Sequence, residues 1–593
     1  FVSVHFYPKK GEVDKALEAL AVYDIGKPIV VEETFPLSCS IEELDAFIDG
    51  AAGRVDGWIS HYFGHTIEEH AQGAEPGGRL TAEFLEYWRK KGAEPAVKIR
   101  VDADRPLGKL HNFWNVFPVT DQAPFKDERK HEELRGLYPV ARYINCVRFL
   151  GGQDLTKDDY FRGVDAEGRA VCNFDEAIRL LSGIRKCGYT PWIVLDNVPA
   201  AMSAKPTKNK YGNTEPPADF KIWSSYVRQL VQTLVDHFGR EEVRTWRFRV
   251  GTEPDLYPGH WSSTKEQYLK HYDHTVAAVR SVLPEAEIGP GNILDPVKHR
   301  DRGWGLEIID HCAAGTNRAT GETGTPLQFF ASSYYTAVGQ SDARFGAVID
   351  TMRQRLAKYP QFKDVPVEVH EFGILSEGGK LLAGDGTEFG GSWAVHMARK
   401  IYDNGVGRVY QWHWNTTKGG GIAIPVTHVL RILEEMAGGT RLQAAASHES
   451  EEDDIGCVAG RKGGQIDLLI YRHLAVRDNG APTTLRIVLD GLSLADQKWS
   501  VARSARIDRD RSVFAHEQKA DSGKVWQELG DEASPLAVAI HVMARHREKY
   551  REMSELGPMD PLPAIAVNEA GELQFDLKLS GHEVVWLRLE GGQ

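Results

Sequence analysis

WRFRVGTEPDLYPGHW, residues Trp246 to Trp261, runs from a strand-like apolar segment into a Gly, a Thr, a Glu and a Pro. A glutamate at the mouth of a buried strand is held where water is scarce. Such a carboxyl has a shifted proton affinity that suits acid–base chemistry. The alternative interpretation is that Glu253 only caps the helix that follows, so the pattern around the stretch has to decide.

Short apolar runs alternate with amphipathic helical patterns from about residue 110 to 438. Eight such alternations predict an α/β fold, a (β/α)8 TIM barrel. A doubly wound open sheet is the alternative, but no Gly-rich phosphate loop follows the first strand. The eight candidate strands begin at His111, Arg142, Thr190, Thr245, Ala286, Leu327, Pro366 and Arg408.

Strand-like segments such as QIDLLIYRHL and EVVWLRLE replace the helical patterns after about residue 440. They predict a C-terminal β-sandwich. We therefore expect three regions: an incomplete barrel fragment at 1–92, a complete barrel at 93–438 and a β-sandwich accessory domain at 439–593. A strand within 95–104 is a candidate addition to the sandwich.

The first 90 residues repeat the form of the barrel's last three strands, in FVSVHFYP, KPIVVEE and VDGWISHYFG. We interpret them as the sixth to eighth strands of an earlier barrel whose first part is absent. The alternative is an irregular α/β decoration. The chain starts at Phe1 inside a predicted strand, so we expect a preceding segment. The sequence assigns no compartment, and a secreted or periplasmic location is compatible with it.

Composition excludes some classes of function. The chain has 593 residues, 42% apolar and 26% charged, with a formal charge of -13. A nucleic-acid-binding surface needs an excess of Lys and Arg, so nucleic acid is not an expected partner. No window of about 18 apolar residues predicts a membrane span. Six scattered cysteines indicate neither a zinc site nor a disulfide framework.

Two of the predicted strands end on a carboxylate, Glu253 on the fourth and Glu371 on the seventh. In a barrel the catalytic residues lie at the carboxyl ends of the strands. Strand alternation puts Val367 and Val369 on the same face as Glu371, so Glu371 points into the barrel mouth if the valines line the barrel. Glu253 does not lie on the apolar face of its strand, so a kink at Gly251 is needed to turn its side chain inward.

Two carboxylates across a barrel mouth suit glycoside hydrolysis, in which one protonates the leaving oxygen and the other attacks the sugar or activates water. Metal-assisted chemistry also uses carboxylates, but no His/Asp cluster at ligand spacing accompanies these. We therefore expect neither a metal nor a cofactor.

The run NFDEAIRLLSGIRKCGYTPWIVLDNVPAAMS, then TEPD, then HEFG, in this order within 95–593, resemble glycoside hydrolase family 39. This is the family of β-xylosidases and α-L-iduronidases in the retaining clan A. The resemblance implies that Glu253 is the acid/base and Glu371 the nucleophile. The family normally has Asn before the acid/base, where it holds the sugar's 2-hydroxyl, and here Thr252 replaces it.

Residues 1–90 resemble the end of another clan A barrel, nearer to family 5. In both segments a Pro precedes the candidate Glu by five residues, Pro28 before Glu33 and Pro366 before Glu371. The resemblance puts Glu33 at the nucleophile position of that earlier barrel. Without a fourth strand the fragment has no acid/base partner, and we expect it to be inert.

Further candidates for substrate binding lie at strand ends and in the loop after TEPD. Arg148 could keep the nucleophile ionised or form a surface salt bridge, and Tyr335 could bond Glu371 or belong to the core. An indole on the eighth strand could stack on a sugar ring, although one of its two tryptophans is expected in the core. The candidates are Thr252, Arg148, Asn197, His260, Trp261, Tyr335, Trp412 and Trp414.

The function predicted from the sequence is a retaining glycoside hydrolase that cleaves O-glycosidic bonds of a plant or algal poly- or oligosaccharide by double displacement. Its expected partner is the carbohydrate substrate, with no nucleic acid and no membrane. One alternative is a catalytically impaired carbohydrate-binding protein on a hydrolase scaffold, which Thr252 favours. The other is a transglycosidase.

Overall fold

The computed structural model describes the following residues: 1–52, 54–60, 83–88, 97–119, 122–137, 142–150, 160–208, 210–382, 385–411, 422–448, 450–478, 480–491, 499–530, 533–568 and 570–591. They divide into two units. The first comprises 1–98 with 483–486 and 576–578, and the second comprises the remainder.

The first unit contains a three-stranded parallel sheet in the order β1 (Val2–His5), β2 (Ile29–Thr34), β3 (Gly57–Ser60). Helices α1 (Val13–Ala21) and α2 (Ile41–Gly50) connect the strands, and residues 83–88 are also helical. The apolar side chains of these elements form a core of their own. Glu33 lies on β2, with its carboxylate 3.6 Å from Nδ1 of His5.

The second unit is a mixed α/β fold in which strands and helices alternate as far as residue 436. Its helices are α3 (His131–Leu137), α4 (Asp175–Lys186), α5 (Phe220–Phe238), α6 (Arg240–Val243), α7 (Lys265–Val282), α8 (Glu307–Ala314), α9 (Arg344–Leu356), α10 (Glu388–Asp403), α11 (Pro425–Met436), α12 (Ala515–Leu529) and α13 (Pro535–Met553).

The remaining strands follow in chain order. They are β4 (Val97–Lys109), β5 (Val116–Val119), β6 (Tyr143–Cys146), β7 (Phe161–Val164), β8 (Ala170–Cys172), β9 (Thr190–Leu195), β10 (Arg247–Val250), β11 (Glu287–Pro290), β12 (Phe330–Ala337), β13 (Val367–Leu375), β14 (Leu381–Leu382), β15 (Val409–Gln411), β16 (Thr440–Ala446), β17 (Asp453–Lys462), β18 (Gln465–Leu474), β19 (Thr483–Asp490), β20 (Trp499–Ile507), β21 (Ala566–Val567), β22 (Leu573–Leu579) and β23 (Val584–Gly591).

Eight of these strands form a parallel sheet in the order β11-β10-β9-β6-β5-β15-β13-β12. Near the outer strands of this order, a parallel bridge joins Ile293, just after β11, to Ser332 on β12. The Ile293 N–H donates to the Ala331 carbonyl at 2.9 Å, and the Ser333 N–H donates to the Ile293 carbonyl at 2.8 Å. Backbone hydrogen bonds therefore also link the first and last strands of the order.

The sheet curls, because side chains of strands that are far apart in this order meet on one side of it. Arg247 on β10 donates to both carboxylate oxygens of Glu368 on β13, at 3.0 and 3.2 Å. Its guanidinium also lies 3.9 Å from the ring centre of Trp192 on β9 and 4.3 Å from that of Phe329. With His370 and Tyr410, these buried residues form what we call the inner cluster.

The inner face of the sheet is the charged one. Val367 and Val369 pack in the large apolar core shared with the surrounding helices, so the condition that they line the inside is not met. Glu368 and His370 point inward instead and share a hydrogen bond of 2.7 Å. The pairing with β12 skips His370 at a bulge, and this irregularity changes the alternation that leads to Glu371.

The Arg247–Glu368 pair gives a prediction on stability. Burial alone would raise the pKa of Glu368, but the charge of Arg247 and the hydrogen bond with His370 lower it to about 2. Glu368→Ala removes the buried carboxylate partner of the Arg247 guanidinium, which keeps only its ion pair with the more exposed Glu287 at 2.5 Å. We therefore expect the free energy of unfolding to fall by about 3–5 kcal/mol. Urea unfolding at neutral pH measures this loss.

The matched control for that loss is the double variant Arg247→Met/Glu368→Leu, which removes both charges. It should recover most of the lost stability, because no unpaired charge stays buried. Equal stability of Glu368→Ala and the wild type would show that the ion pair of Arg247 with Glu287 compensates fully for the loss. The stabilising effect of Glu368 should persist above the unfolded pKa of about 4.3 and disappear as pH falls towards 2.

The C-terminal strands form a second sheet whose hydrogen-bonding path runs β20-β23-β18-β17-β16-β4-β19-β22-β21. β4, which precedes the parallel sheet in sequence, pairs antiparallel with β16. Helices α12 and α13 pack against each other as an antiparallel pair between β20 and β21. Among the described residues, no helix combines the length and apolar character needed to cross a membrane.

Candidate active site

A cavity of about 370 Å³ lies at the carboxyl ends of the parallel strands. The residues that line it come from the ends of five strands and from three loops. They include Arg148, Asp196, Tyr211, Glu253, Tyr335 and Glu371. The structure thus brings both predicted carboxylates into one cavity, together with Arg148 and Tyr335.

Glu253 reaches the cavity through a kink directly after β10. The φ angle is +82° at Gly251 and +38° at Glu253, and the left-handed region is costly for a non-Gly residue. Gly291 of the neighbouring segment packs so closely that a Cβ there would lie 2.9 Å from the Gly251 carbonyl carbon. The kink predicted at Gly251 is therefore present, and close backbone packing supports it.

The carboxylate of Glu253 is buried and held by a serine. Ser333 on β12 donates to its Oε1 at 2.5 Å, and Asn292 donates in turn to Ser333 at 2.8 Å. Nε2 of His260 lies 4.0 Å from Oε2 of Glu253. Backbone pairing puts Ser333 opposite Glu371. Ser333 thus binds one carboxylate through its side chain and is paired with the other through its backbone.

The carboxylate of Glu371 is buried on β13 and accepts a hydrogen bond from a tyrosine. The Tyr335 hydroxyl donates to its Oε2 at 3.0 Å. Arg148, with φ of +54°, lines the same cavity after β6. Its positive charge and that of Arg249 act on the Glu371 carboxylate.

The two carboxylates differ in electrostatic surroundings. Burial and the negative charge of Glu371 raise the pKa of Glu253 well above its usual value. Burial also raises the pKa of Glu371, but the charge of Arg249, the Tyr335 hydrogen bond and the charge of Arg148 oppose that rise. A proton shared by the pair therefore favours Glu253, and the negative charge favours Glu371.

His260 lines the cavity as a neutral ring. Burial and the charges of Arg148 and Arg249 lower the pKa of His260 to about 3. At neutral pH it therefore offers one donor and one acceptor to a ligand and no charge. Its ring lies against Tyr211, with 4.1 Å between the ring centres.

The side chains of Asn197 and Trp261 form hydrogen bonds with other residues of the chain. Asn197 donates its amide to the Tyr211 carbonyl at 2.6 Å, so it orients a residue of the cavity wall. The Trp261 indole N–H donates to the Thr264 carbonyl at 3.0 Å, and its ring packs against Tyr268. Neither residue lines the cavity that contains the two carboxylates.

Trp412 and Trp414 lie outside the described residues. Thr252 lines the cavity, but its hydroxyl already contacts two side chains. It accepts a hydrogen bond from Arg249 at 2.9 Å and donates one to Asp196 at 3.1 Å.

Sequence reasoning missed four residues of the site: Arg249, Ser333, Lys210 and Tyr211. Arg249 had a sequence signal, since it shares a strand face with Arg247. Ser333 had none, because serine on a strand has no fixed role. Lys210 and Tyr211 come from a long loop, whose path alternation does not predict. The Lys210 ammonium lies 4.7 Å from the Tyr211 ring centre.

No group of three or more His, Cys, Asp or Glu side chains suited to a metal ion occurs in the part of the chain that the structure describes. The polar groups that line the cavity include the carboxylates, the guanidinium of Arg148, the ammonium of Lys210, the tyrosine hydroxyls and the neutral imidazole.

Comparison with known proteins gives consistent results. Residues 97–376 match the family model of glycosyl hydrolases family 39. The beta-xylosidase of Caldicellulosiruptor saccharolyticus is 23% identical over 531 residues, which cover 84% of this chain and 99% of that protein. The alpha-L-iduronidase of Mus musculus is 25% identical over 281 residues, which cover 46% of this chain and 43% of that protein.

Among solved structures, a GH39 enzyme from Xanthomonas axonopodis pv. citri superposes with a TM-score of 0.63 at 15% identity. The superposition covers 84% of this chain and 98% of that one. At this identity the likeness concerns the fold alone. The match of residues 97–376 to the family model and the long match to a beta-xylosidase support a glycoside hydrolase that is similar to family 39.

Proposed function

We propose that the chain is a retaining glycosidase that cleaves O-glycosidic bonds of plant or algal oligo- or polysaccharides. The observation that carries the proposal is the pair of buried carboxylates in one cavity, Glu253 and Glu371, whose surroundings favour a proton on Glu253 and a charge on Glu371. A retaining mechanism needs one carboxylate in each of these states.

In the first step, Glu371 attacks the anomeric carbon while the bond to the leaving oxygen breaks. Glu253 gives its proton to that oxygen. Tyr335 and Arg148 help keep Glu371 ionised before the attack. The product of this step is a covalent glycosyl-enzyme on Glu371.

In the second step, Glu253 takes a proton from a water molecule, whose oxygen attacks the anomeric carbon and breaks the bond to Glu371. The sugar leaves with its original configuration, and both carboxylates return to their starting states. Once Glu371 is an ester, its charge no longer raises the pKa of Glu253. Glu253 can then act as a base.

We also propose a finer architecture for the chain: a closed (β/α)8 barrel at 93–438 with a C-terminal β-sandwich at 439–593, preceded in sequence by an incomplete barrel at 1–92. The bridge between Ile293 and Ser332 and the contact of Arg247 with Glu368 support closure. The pairing of β4 with β16 supports a sandwich that includes the segment before the barrel.

Two classes of substrate fit the cavity, neutral glycosides and carboxylated glycosides. The long match to a beta-xylosidase supports a neutral sugar. Lys210 and Arg148 both line the cavity, and two cations there suit an anionic substituent. A screen of nitrophenyl glycosides should therefore cover xylose, galactose, glucose, arabinose and fucose, with an iduronide added.

We expect the wild-type enzyme to release nitrophenol from at least one of these glycosides with retention of configuration. Proton NMR of the first-formed sugar, recorded before mutarotation, measures the configuration. Inversion would contradict the roles given to Glu253 and Glu371. Binding without turnover would favour the alternative of an impaired carbohydrate-binding protein, and glycosyl transfer to an added acceptor as the main reaction would favour a transglycosidase.

A further inference from the structure

Asp342, in the loop between β12 and α9, is a buried carboxylate to which the proposed mechanism gives no role. Its side chain is 2% exposed and does not line the cavity. Its Oδ1 accepts the Tyr334 hydroxyl at 2.8 Å and also accepts the Thr336 hydroxyl. These two residues lie two positions apart on β12, so their side chains leave the same face of the strand. One carboxylate oxygen thus holds that face of β12 near its carboxyl end.

The opposite face of β12 carries the groups that bind the two carboxylates of the site. Ser333 donates to Glu253 at 2.5 Å, and Tyr335, two positions further along, donates to Glu371 at 3.0 Å. Tyr335 stands between the two residues whose hydroxyls Asp342 accepts. A rotation of the strand about its axis at this point would therefore carry the Tyr335 hydroxyl away from Glu371.

The segment that carries Asp342 also holds the backbone of Tyr335. Arg344 donates to the Tyr335 carbonyl at 2.6 Å and to Oδ2 of Asp295 at 2.8 Å. Asp295 is itself held, since its Oδ1 accepts the backbone N–H of Val297 at 3.0 Å. Side-chain contacts on one face and a main-chain contact therefore act together on the strand at Tyr335.

A buried histidine balances the charge of Asp342. Nε2 of His396 on α10 lies 3.4 Å from Oδ2 of Asp342, and its Nδ1 lies 2.6 Å from Oδ2 of Asp454 on β17. Burial would lower the pKa of His396, but the two carboxylates raise it above its usual value. Burial would raise the pKa of Asp342, but His396 lowers it below its usual value. Asp342 is therefore ionised at neutral pH and only accepts hydrogen bonds.

We propose that Asp342 is a positioning residue that holds β12 so that the Tyr335 hydroxyl stays on the carboxylate of Glu371. His396 supports this role because it keeps Asp342 ionised, and Asp454 ties the pair to the C-terminal sheet. The inference rests on the proposed function, because it assigns Asp342 a part in keeping the nucleophile ionised. A hydrogen bond to a carboxylate favours the charged form, so loss of the Tyr335 contact would leave less of the reactive form at low pH.

The direction of the effect on Glu371 distinguishes positioning from a direct effect of charge. Removing the negative charge of Asp342 would by itself lower the pKa of Glu371, because a like charge disfavours the ionised form. Losing the Tyr335 hydrogen bond would raise that pKa, because the bond lowers it. Asp342→Ala should therefore raise the pKa of Glu371. The other charged groups that act on Glu371 or are acted on by it stay in this variant: Arg249, Arg148, Asp196 and Glu253.

The test measures kcat/KM against pH for wild type, Tyr335→Phe, Asp342→Ala and the double variant on the best nitrophenyl glycoside. Tyr335→Phe should lower kcat/KM at the optimum by about 10- to 100-fold, the range for a hydrogen bond to a charged group, and Asp342→Ala by about 3- to 30-fold. Both should move the acid limb to higher pH. In the Tyr335→Phe background, Asp342→Ala should cost less than about 3-fold. Asp350→Ala, an exposed change on α9, is the matched control.

Carbon-13 NMR of the labelled Glu371 carboxyl measures the same shift without a substrate. Asp342→Asn should titrate much like the wild type, because its amide oxygen can still accept both hydroxyls. If Asp342→Ala does not fold, Tyr334→Phe and Thr336→Val remove the contacts one at a time, and each should give a smaller shift in the same direction. A shift in Asp342→Asn as large as that in Asp342→Ala would mean that the two hydroxyls are not the route.

An unchanged or lowered acid limb in Asp342→Ala, or equal losses with and without the Tyr335 hydroxyl, would mean a merely structural role and overturn the inference. Retention of configuration and the need for Glu371 would still leave the proposed function standing. A wild type inactive on every glycoside would overturn the proposed function, and the NMR titration would then still decide whether Asp342 acts on Glu371.

Discussion

Glu371→Gln is expected to lower kcat by about 10⁴- to 10⁶-fold on any substrate that the wild type cleaves, because position 371 no longer has a carboxylate to form the glycosyl-enzyme. Gln keeps the shape of the side chain and can still accept the Tyr335 hydroxyl, so the substrate should still bind. Single-turnover kinetics on the best nitrophenyl glycoside measures the loss. Glu322→Gln, an exposed change outside the cavity, is the matched control.

The loss in Glu371→Gln should not come from unfolding. Burial raises the pKa of Glu371 in the folded state, so its ionised form opposes folding once pH exceeds that raised value. The contribution of this group to stability is full at low pH and disappears as pH rises through the folded pKa. Glu371→Gln removes that cost, and its melting temperature at neutral pH should equal or exceed that of the wild type.

The smaller variant Glu371→Ala tests the role of the carboxylate directly. Azide added to it should occupy the space of the missing side chain and attack the anomeric carbon, giving a glycosyl azide of inverted configuration. Activity of either Glu371 variant within about tenfold of the wild type would contradict the nucleophile assignment, since removal of a covalent catalyst costs far more.

The sequence predicted that Glu253 and Glu371 lie at strand ends, because the end of an apolar strand can be recognised in the residue pattern. TEPD and HEFG each follow an apolar run, and the mismatch of Glu253 with its strand's apolar face correctly predicted a kink at Gly251. It could not predict which face of a strand lies inside. Alternation separates two faces without saying which is inside. On β13 the apolar face packs against the helices, and the inner face of the sheet holds Arg247 and Glu368.

The sequence also could not reveal which polar groups share partners. Thr252 was recognised as a departure from the family pattern, but its hydroxyl contacts Arg249 on β10 and Asp196 directly after β9. Likewise, Ser333 meets Glu253 only because distant strands come together in the curled sheet. Such contacts depend on the three-dimensional arrangement, and no spacing in the chain encodes them.

Glu253→Gln is expected to have an effect that depends on the leaving group. The proton of Glu253 matters most when the departing oxygen is basic, so kcat/KM for alkyl or phenyl glycosides should fall by about 10²- to 10⁴-fold. Dinitrophenyl glycosides need little protonation and should still form the glycosyl-enzyme at nearly the wild-type rate. That intermediate should accumulate, because the variant has no base to activate water.

The pH dependence of activity distinguishes a role of Glu253 as general acid from a purely structural role. Burial and the charge of Glu371 raise the pKa of Glu253, so wild-type activity should fall as pH rises through that value and the acid is lost. Glu253→Gln should lose this basic limb. Glu371→Gln removes the neighbouring charge, so it should lower the pKa of Glu253, as carbon-13 NMR of the labelled carboxyl would report.

Azide completes the test of Glu253, because it is a nucleophile that needs no general base. With Glu253→Gln and a dinitrophenyl glycoside, azide should raise turnover and give a glycosyl azide of retained configuration, the opposite of the Glu371→Ala product. Each of the two variants replaces one buried carboxyl of the same cavity, so a loss of structure would affect both variants alike. A uniform loss on all leaving groups, with the basic limb intact, would show that Glu253 is not the acid.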